Sequence, residues 1–246
     1  MIRLITYHDD RMSESGAKLK ASAYVNGVQE VCTLGPIDLP EMFKQLAADC
    51  LKESKGAGLY VWKPYAVWYA MNKCMDGDYL IYADAGQEFV SGVQSVINHM
   101  DQDVMMFSNG WKHLDWCKMD VADGILGADT ALVRAYDYKQ TQASLIFFRV
   151  SKESREFVKE WMLWCLMPGF CDNSPSKLPN VPTFQETRWD QSVLCCLQIK
   201  HGYRLHWFPT LTAMHLRGDF PGDNYPGIVD HHRKRDHGKG EGDSEW

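Results

Sequence analysis

The stretch Gly77-Asp78-Tyr79-Leu80-Ile81-Tyr82-Ala83-Asp84-Ala85-Gly86 constrains this chain more than any other. Its centre, Tyr79 to Ala83, is an unbroken apolar run between turn residues. That is the pattern of a strand covered on both faces, as in a parallel sheet. The run stops at an acidic residue, Asp84, followed by the small pair Ala85-Gly86. Ligands of open α/β sheets bind at the carboxyl ends of the strands. A lone carboxylate there, with small neighbours, suits a metal ion or a substrate hydroxyl. The same residues also make an ordinary turn in which Asp84 only caps the next segment.

The remainder alternates strands with helices. Ile2 to Thr6 reads as a strand running into the polar group Tyr7-His8-Asp9-Asp10, and Val25 to Leu34 as a second strand with a turn at Asn26-Gly27. Phe43, Leu46, Ala47, Cys50 and Leu51 have the spacing of one apolar helix face. Val90 to Met100 reads as a helix, Asp103 to Phe107 and Ala143 to Val150 as strands, and Trp111 to Asp123 as a loop-rich insert of binding character. Ser151 is placed to cap a helix that buries Phe157, Val158, Trp161 and Cys165. Pro168 to Pro182 is a long connection, a type that often serves as a lid. A helix follows from Trp189, and a late strand spans Tyr203 to Phe208. With no repeat and no internal boundary, residues 1–230 read as one domain. Residues 231–246 read as a polar tail with His231, His232 and His237, better taken as solvated than as a metal site.

Composition excludes several classes. The 246 residues are 45% hydrophobic and 24% charged, enough for a proper core. A formal charge of −6 with no basic stripe disfavours nucleic acid, whose phosphates demand clustered cations. Nine Trp and eleven Tyr supply core, and also platforms for sugar rings and bases. The eight cysteines form no Cys-x-x-Cys pair and no His/Cys cluster of zinc spacing, so they read as reduced core residues. No stretch approaches the ~18 apolar residues of a membrane span, and the N-terminus enters a strand without signal-peptide architecture. The expectation is a soluble, cytoplasmic protein.

Trp62-Lys63-Pro64 precedes a helical pattern carrying Tyr65, Trp68, Met71 and Met75. Pro64 suits the first helical position, which puts Lys63 at the helix N-terminus, where a lysine opposes the helix dipole. Lys63 either faces solvent or shares an anion with the free backbone N–H groups, as in a phosphate site.

Taken together, Trp62-Lys63-Pro64 and the Gly77 to Gly86 stretch resemble the donor-binding half of GT-A-type glycosyltransferases. More narrowly, they are similar to bacterial and large-virus transferases that build surface polysaccharide. In related retaining families, glycogenin-like and lipopolysaccharide galactosyltransferases, an upstream basic residue precedes a Tyr-x-Asp-x-Asp turn, and Lys63 and Asp84 keep that spacing. Arg188-Trp189-Asp190-Gln191-Ser192-Val193-Leu194 resembles the Asp-Gln helix start near their reaction centre. Thr212-Ala213-Met214-His215-Leu216-Arg217-Gly218 resembles their late His-x-x-Gly element, which supplies a metal-binding histidine. The resemblance spans roughly residues 1 to 220.

It implies an α/β fold: one GT-A-like, Rossmann-like domain with a mostly parallel central sheet flanked by helices. It also implies transfer of a sugar from a nucleoside-diphosphate sugar to an acceptor hydroxyl of a glycan. Thr6, Tyr7, Lys63, Asp84, Ala85 and Gly86 would bind the donor, and Asp190 and Gln191 would lie at the reacting carbon. Asp84 and His215 would hold Mn²⁺ or Mg²⁺ with help from the diphosphate. One departure stands out: Gly86 occupies the place of the motif's second carboxylate. Hard divalent cations need several oxygen ligands, so the alternative is a metal-independent site in which Lys63 offsets the leaving group's charge. The related families retain configuration; an inverting route would use Asp190 as general base. Two other functions fit the fold. A nucleotidyltransferase would want a glycine-rich loop after the first strand, which Tyr7 to Met12 lacks, and a catalytically inactive carbohydrate-binding protein would explain the missing carboxylate.

Overall fold

The computed structural model describes residues 1–136 and 138–231. Its strands are β1 (Ile2–Tyr7), β2 (Glu30–Leu34), β3 (Tyr79–Ala83), β4 (Gln87–Phe89), β5 (Val104–Lys112), β6 (Lys139–Arg149), β7 (Leu205–Trp207) and β8 (Val229–His231). Six of them form one sheet in the order β2-β1-β3-β6-β5-β7. β6 is antiparallel to both its neighbours, β3 and β5, while the other pairings are parallel. β4 and β8 form a separate antiparallel pair. The sheet is therefore mostly parallel, as the resemblance implied.

The apolar run of β3 explains why the sheet is central. Leu80 and Tyr82 enter one hydrophobic layer, and Ile81 and Ala83 enter the other. Successive strand residues point to opposite faces, so a strand covered on both sides must be apolar throughout. Each aliphatic side chain buried this way contributes about 1.5–3 kcal/mol. The first layer is closed by the helices Trp62–Met71, Met119–Leu126, Lys152–Cys165 and Trp189–Lys200. The second is closed by the helix Ser13–Val25 and the β4–β8 pair. Ser151 caps its helix as expected, accepting from the Ser154 amide at 3.1 Å while its own amide donates to the Ser154 hydroxyl at 2.9 Å.

Several expectations are corrected. The helix Ser13–Val25 takes in Val25, leaving only Glu30–Leu34 as the second strand. Its buried positions are Ser15, Gly16, Leu19 and Ala23, too small and polar to show an apolar stripe. A Cβ at Gly16 would stand 2.3 Å from the His8 ring, which would have to move aside. The Phe43 to Leu51 helix breaks at Ala47 into Glu41–Leu46 and Ala48–Leu51. Of Val90 to Met100, only Gln94–Ile97 is α-helical. The segment Trp111 to Asp123 is regular rather than loop-rich: it holds the end of β5, a 3₁₀ turn at His113–Trp116 and most of the helix Met119–Leu126. His231 closes β8 opposite Gln87. The rest of the expected tail, with His232 and His237, lies outside the described residues. Among the described residues no helix is long and apolar enough to cross a membrane.

Candidate functional site

The site begins where β3 ends. The Asp84 amide donates to the Ser144 carbonyl at 2.9 Å, and the Asp84 carbonyl accepts from the Gln87 amide at 3.0 Å. That closes a turn over Ala85 and Gly86. Tyr82 lies two residues back on the same strand face, and its hydroxyl donates to Asp84 Oδ1 at 2.5 Å. Burial, and then the Asp84 charge, push the Tyr82 phenol far above its usual value. It stays a donor.

Lys63 comes from the first turn of the Trp62–Met71 helix and points inward rather than to solvent. Its Nζ stands 3.3 Å from Asp84 Oδ1 and 3.3 Å from Asp190 Oδ2. It also donates to the Ala143 carbonyl at 3.1 Å and lies about 5 Å from the Tyr60 and Tyr82 rings, at 5.1 and 5.2 Å. Burial alone would strip its proton, but Asp190 and Asp84 outweigh it and hold the ammonium above its ordinary value. One ammonium cannot neutralise two carboxylates. Asp84 keeps 34% of its side chain in solvent, whereas Asp190 is only 2% exposed. Asp190 is therefore the one that yields: burial raises it to about 7, the Asp84 charge adds to this, and Lys63 opposes it.

Gln191 follows Asp190 at the start of its helix. Its Oε1 accepts from the Ala143 amide at 3.1 Å, and its Nε2 donates to Gln140 Oε1 at 2.9 Å. These bonds exist because β6 bulges. Phe107 pairs with Gln142 while Met105 pairs with Phe147, so β6 spends five steps where β5 spends two. The bulge takes Ala143 out of the β5 ladder and leaves its amide and carbonyl for Gln191 and Lys63. An antiparallel strand at this place starts at the carboxyl edge of β3, which is how β6 reaches the site.

Tyr7 and Thr6 divide between the two layers, as neighbours on a strand must. The Tyr7 ring stacks on Trp62 at 3.8 Å and 14°. Thr6 has no exposed surface, and its hydroxyl has no hydrogen-bond partner among the described residues. Of the two, only Tyr7 reaches a cleft. Tyr7 lines a cleft of about 620 Å³ with Arg11, Leu39, Lys44, Leu51 and Lys52. A second cleft, about 420 Å³, runs from His8 and Asp9 to Gly35 and Asp38, across the carboxyl ends of β1 and β2. Neither cleft is lined by Lys63, Asp84 or Asp190. The Tyr7–Trp62 stack connects the two regions, since Trp62 adjoins Lys63 in the chain. The ionised cluster and the clefts are therefore separate features of the same sheet edge.

Ala85 is buried and Gly86 half-buried within the Asp84 turn. His215 is exposed in a 3₁₀ segment, Leu211–Asp219, rather than in an open loop. Among the described residues no hydrogen bond or ion pair joins His215 to Asp84. Nor does a third His, Cys, Asp or Glu complete a set of three with Asp84 and His215, or with Asp84 and Asp190. Asp84 Oδ1 is already engaged by Tyr82 and Lys63, and the ammonium occupies the space between the two carboxylates. These residues do not fit a resident Mn²⁺ or Mg²⁺.

Three contributors escape a reading of the sequence: Tyr60, the Ala143 backbone and Gln140. Tyr82 was not named as a partner of Asp84, although a period of two puts it beside that residue. Tyr60 follows the glycines 56 and 58 in a left-handed stretch with Ala57 φ 50°, Leu59 φ 54° and Tyr60 φ 60°; Trp189, just before Asp190, has φ 45°. The Tyr60 and Trp189 rings pack at 6.0 Å. Such backbone costs about 1–3 kcal/mol per residue and concentrates at functional sites. Here it flanks Lys63 and Asp190.

Neither a family model nor a curated protein sequence matches the chain. Solved structures do. A glycosyltransferase involved in the glycosylation of the major capsid of PBCV-1 aligns with TM-score 0.49 and 10% identity over 95% of this chain and 94% of its own. The bifunctional glycosyltransferase WbbM aligns with TM-score 0.50 and 12% identity over 95% of this chain, which spans 46% of WbbM. The galactosyltransferase LgtC, solved with donor and acceptor sugar analogues, aligns with TM-score 0.42 and 11% identity over 94% of this chain and 87% of its own. The likeness to WbbM shows a shared fold: an α/β domain whose mostly parallel sheet is flanked by helices.

Proposed function

We propose that the protein transfers a sugar from a nucleoside-diphosphate sugar to an acceptor hydroxyl in glycan synthesis. The observation that carries this reading is the buried ammonium of Lys63, held between Asp84 and Asp190 at the carboxyl edge of β3. Glycosyl transfer from such a donor is limited by departure of a diphosphate from an oxocarbenium-like carbon. A cation fixed before the reaction offsets that charge without reorganisation. The clefts beside β1 and β2 suit the nucleotide: Tyr7 offers an aromatic wall, and Arg11, Lys44 and Lys52 offer positive charge. The half-exposed Asp84 faces the donor, and the turn over Ala85 and Gly86 lets it approach the backbone.

Gln191, clamped by Ala143 and Gln140, is the group we place beside the anomeric carbon. Asp190 suits a general base poorly: it is sealed, and its carboxylate is turned to Lys63. That supports a retaining route over an inverting one. No step here runs through a divalent cation.

A donor-hydrolysis screen with UDP- and GDP-sugars, in Mn²⁺ and in excess EDTA, tests the reading. Hydrolysis that survives EDTA and disappears in Lys63→Ala is expected. Calorimetry with nucleotides completes it. Nucleoside diphosphates should bind; binding of triphosphates alone would favour a nucleotidyltransferase, and no nucleotide binding an inactive carbohydrate-binding protein.

A further inference from the structure

The cysteines are all free and seven of the eight are buried, as expected, but two of them meet a histidine in space. His113, Cys117 and Cys196 come together in the interior, at 1%, 0% and 0% exposure. His113 Nε2 is 3.3 Å from Cys196 Sγ, and the two sulfurs are 3.9 Å apart. All three donor atoms lie within 4.8 Å of one another. The spacing rule missed the group because only the His-x-x-x-Cys pair is local, and Cys196 arrives from a helix far along the chain.

We infer that His113, Cys117 and Cys196 form a structural binding site for a soft divalent cation of the zinc class. Ligands held at about 2.0–2.3 Å around a tetrahedral zinc stand about 3.3–3.8 Å from each other; the N–S separation of 3.3 Å and the S–S separation of 3.9 Å are close to that spacing. Thiolate and imidazole are the donors zinc takes, whereas Mg²⁺ and Ca²⁺ take oxygens. Charge also fits. Two thiolates and a neutral imidazole cancel a dication, so the filled site is neutral and its burial carries no net charge.

The location gives such an ion a task. His113 and Cys117 bracket the 3₁₀ turn after β5, and Cys196 is in the helix that opens with Asp190 and Gln191. That turn already touches the helix start, where the Trp116 carbonyl accepts from the Ser192 hydroxyl at 2.6 Å and the Arg188 amide at 3.1 Å. A metal one turn further on would staple both segments and fix the pitch of the helix that presents Asp190. Binding energy of such a site is folding energy.

The test uses the full chain, purified without chelator, with zinc counted by plasma mass spectrometry. About one zinc per chain is expected, falling at least tenfold in both Cys117→Ala and Cys196→Ala. Refolding the wild type in Co²⁺ should give the near-ultraviolet absorption of a thiolate-bound ion, and this decides the matter if the alanine variants do not fold. A folded wild type that carries no zinc and gives no cobalt band overturns the inference. So does zinc that persists in both variants, or a Cys117–Cys196 disulfide found by mass spectrometry.

Discussion

The two buried clusters at the helix Trp189–Lys200 differ in one respect, and that respect decides their chemistry. The Lys63–Asp84–Asp190 cluster is charged and open at one end, since Asp84 keeps 34% of its side chain in solvent. The His113–Cys117–Cys196 cluster is sealed and built from soft donors that can all be neutral. A sealed group of charges would have to be paired within itself. The first cluster is short by one cation for its two carboxylates, so the sealed Asp190 takes up a proton near neutral pH while the exposed Asp84 keeps its charge. The second has no approach for a ligand and suits a structural role. Openness is what makes the first cluster the better candidate for turnover and the second the better candidate for stability.

Asp84→Ala should break that distinction most severely. Turnover of a nucleotide-sugar donor is expected to fall by about 10²–10³-fold. Thermal unfolding should barely move, because a partly exposed ion contributes about 0–1 kcal/mol. Variants in the sealed cluster should do the reverse, changing metal content and melting temperature without changing donor affinity in the folded protein. A donor assay beside a melting curve checks both.

Lys63→Ala should cost both properties. Removing one partner of a buried charge cluster typically destabilises by about 3–5 kcal/mol. Because Asp190 can take up a proton, denaturant unfolding should show a smaller loss in mild acid than in mild base.

Asp190 makes stability depend on pH even in the wild type. Its carboxyl titrates at about 7 in the fold against an ordinary value of 3.8. Below 3.8 both folded and unfolded chains hold the proton. Between these values only the folded chain does, so stability falls as pH rises, by up to about 1.4 kcal/mol per unit, and levels off above 7. Urea titrations across that window should show the slope, and Asp190→Asn should flatten it.

Tyr82→Phe is the mildest change. It removes one hydrogen bond to Asp84, worth about 1 kcal/mol, which corresponds to about fivefold in donor affinity by calorimetry. An unchanged affinity would show that Tyr82 does not position Asp84.

Legibility from sequence followed how local the signal was. The β3 run and the Ser151 cap were readable because each rests on adjacent residues and a short period, and the helix expected from Pro64 begins two residues earlier, at Trp62. The helix Ser13–Val25 was not, because its buried face is serine, glycine and alanine as much as leucine. In the site, Lys63, Asp84, Asp190 and Gln191 were named from motif order, and the structure brings these four together. His215 and Thr6 were named in the same way, and no described contact joins either to them.

By itself, the sequence determined the strand that must be central, the acidic residue that ends it and the class of fold around it. Apolar periodicity and turn residues act over a few positions. Tertiary structure alone decided that Lys63 turns inward to two carboxylates, that a bulge in β6 frees Ala143 to meet Gln191, and that Cys196 joins His113 and Cys117. Each of these depends on the approach of segments distant in the chain. A one-dimensional pattern carries no record of which buried charges share a cation or which thiols share a pocket.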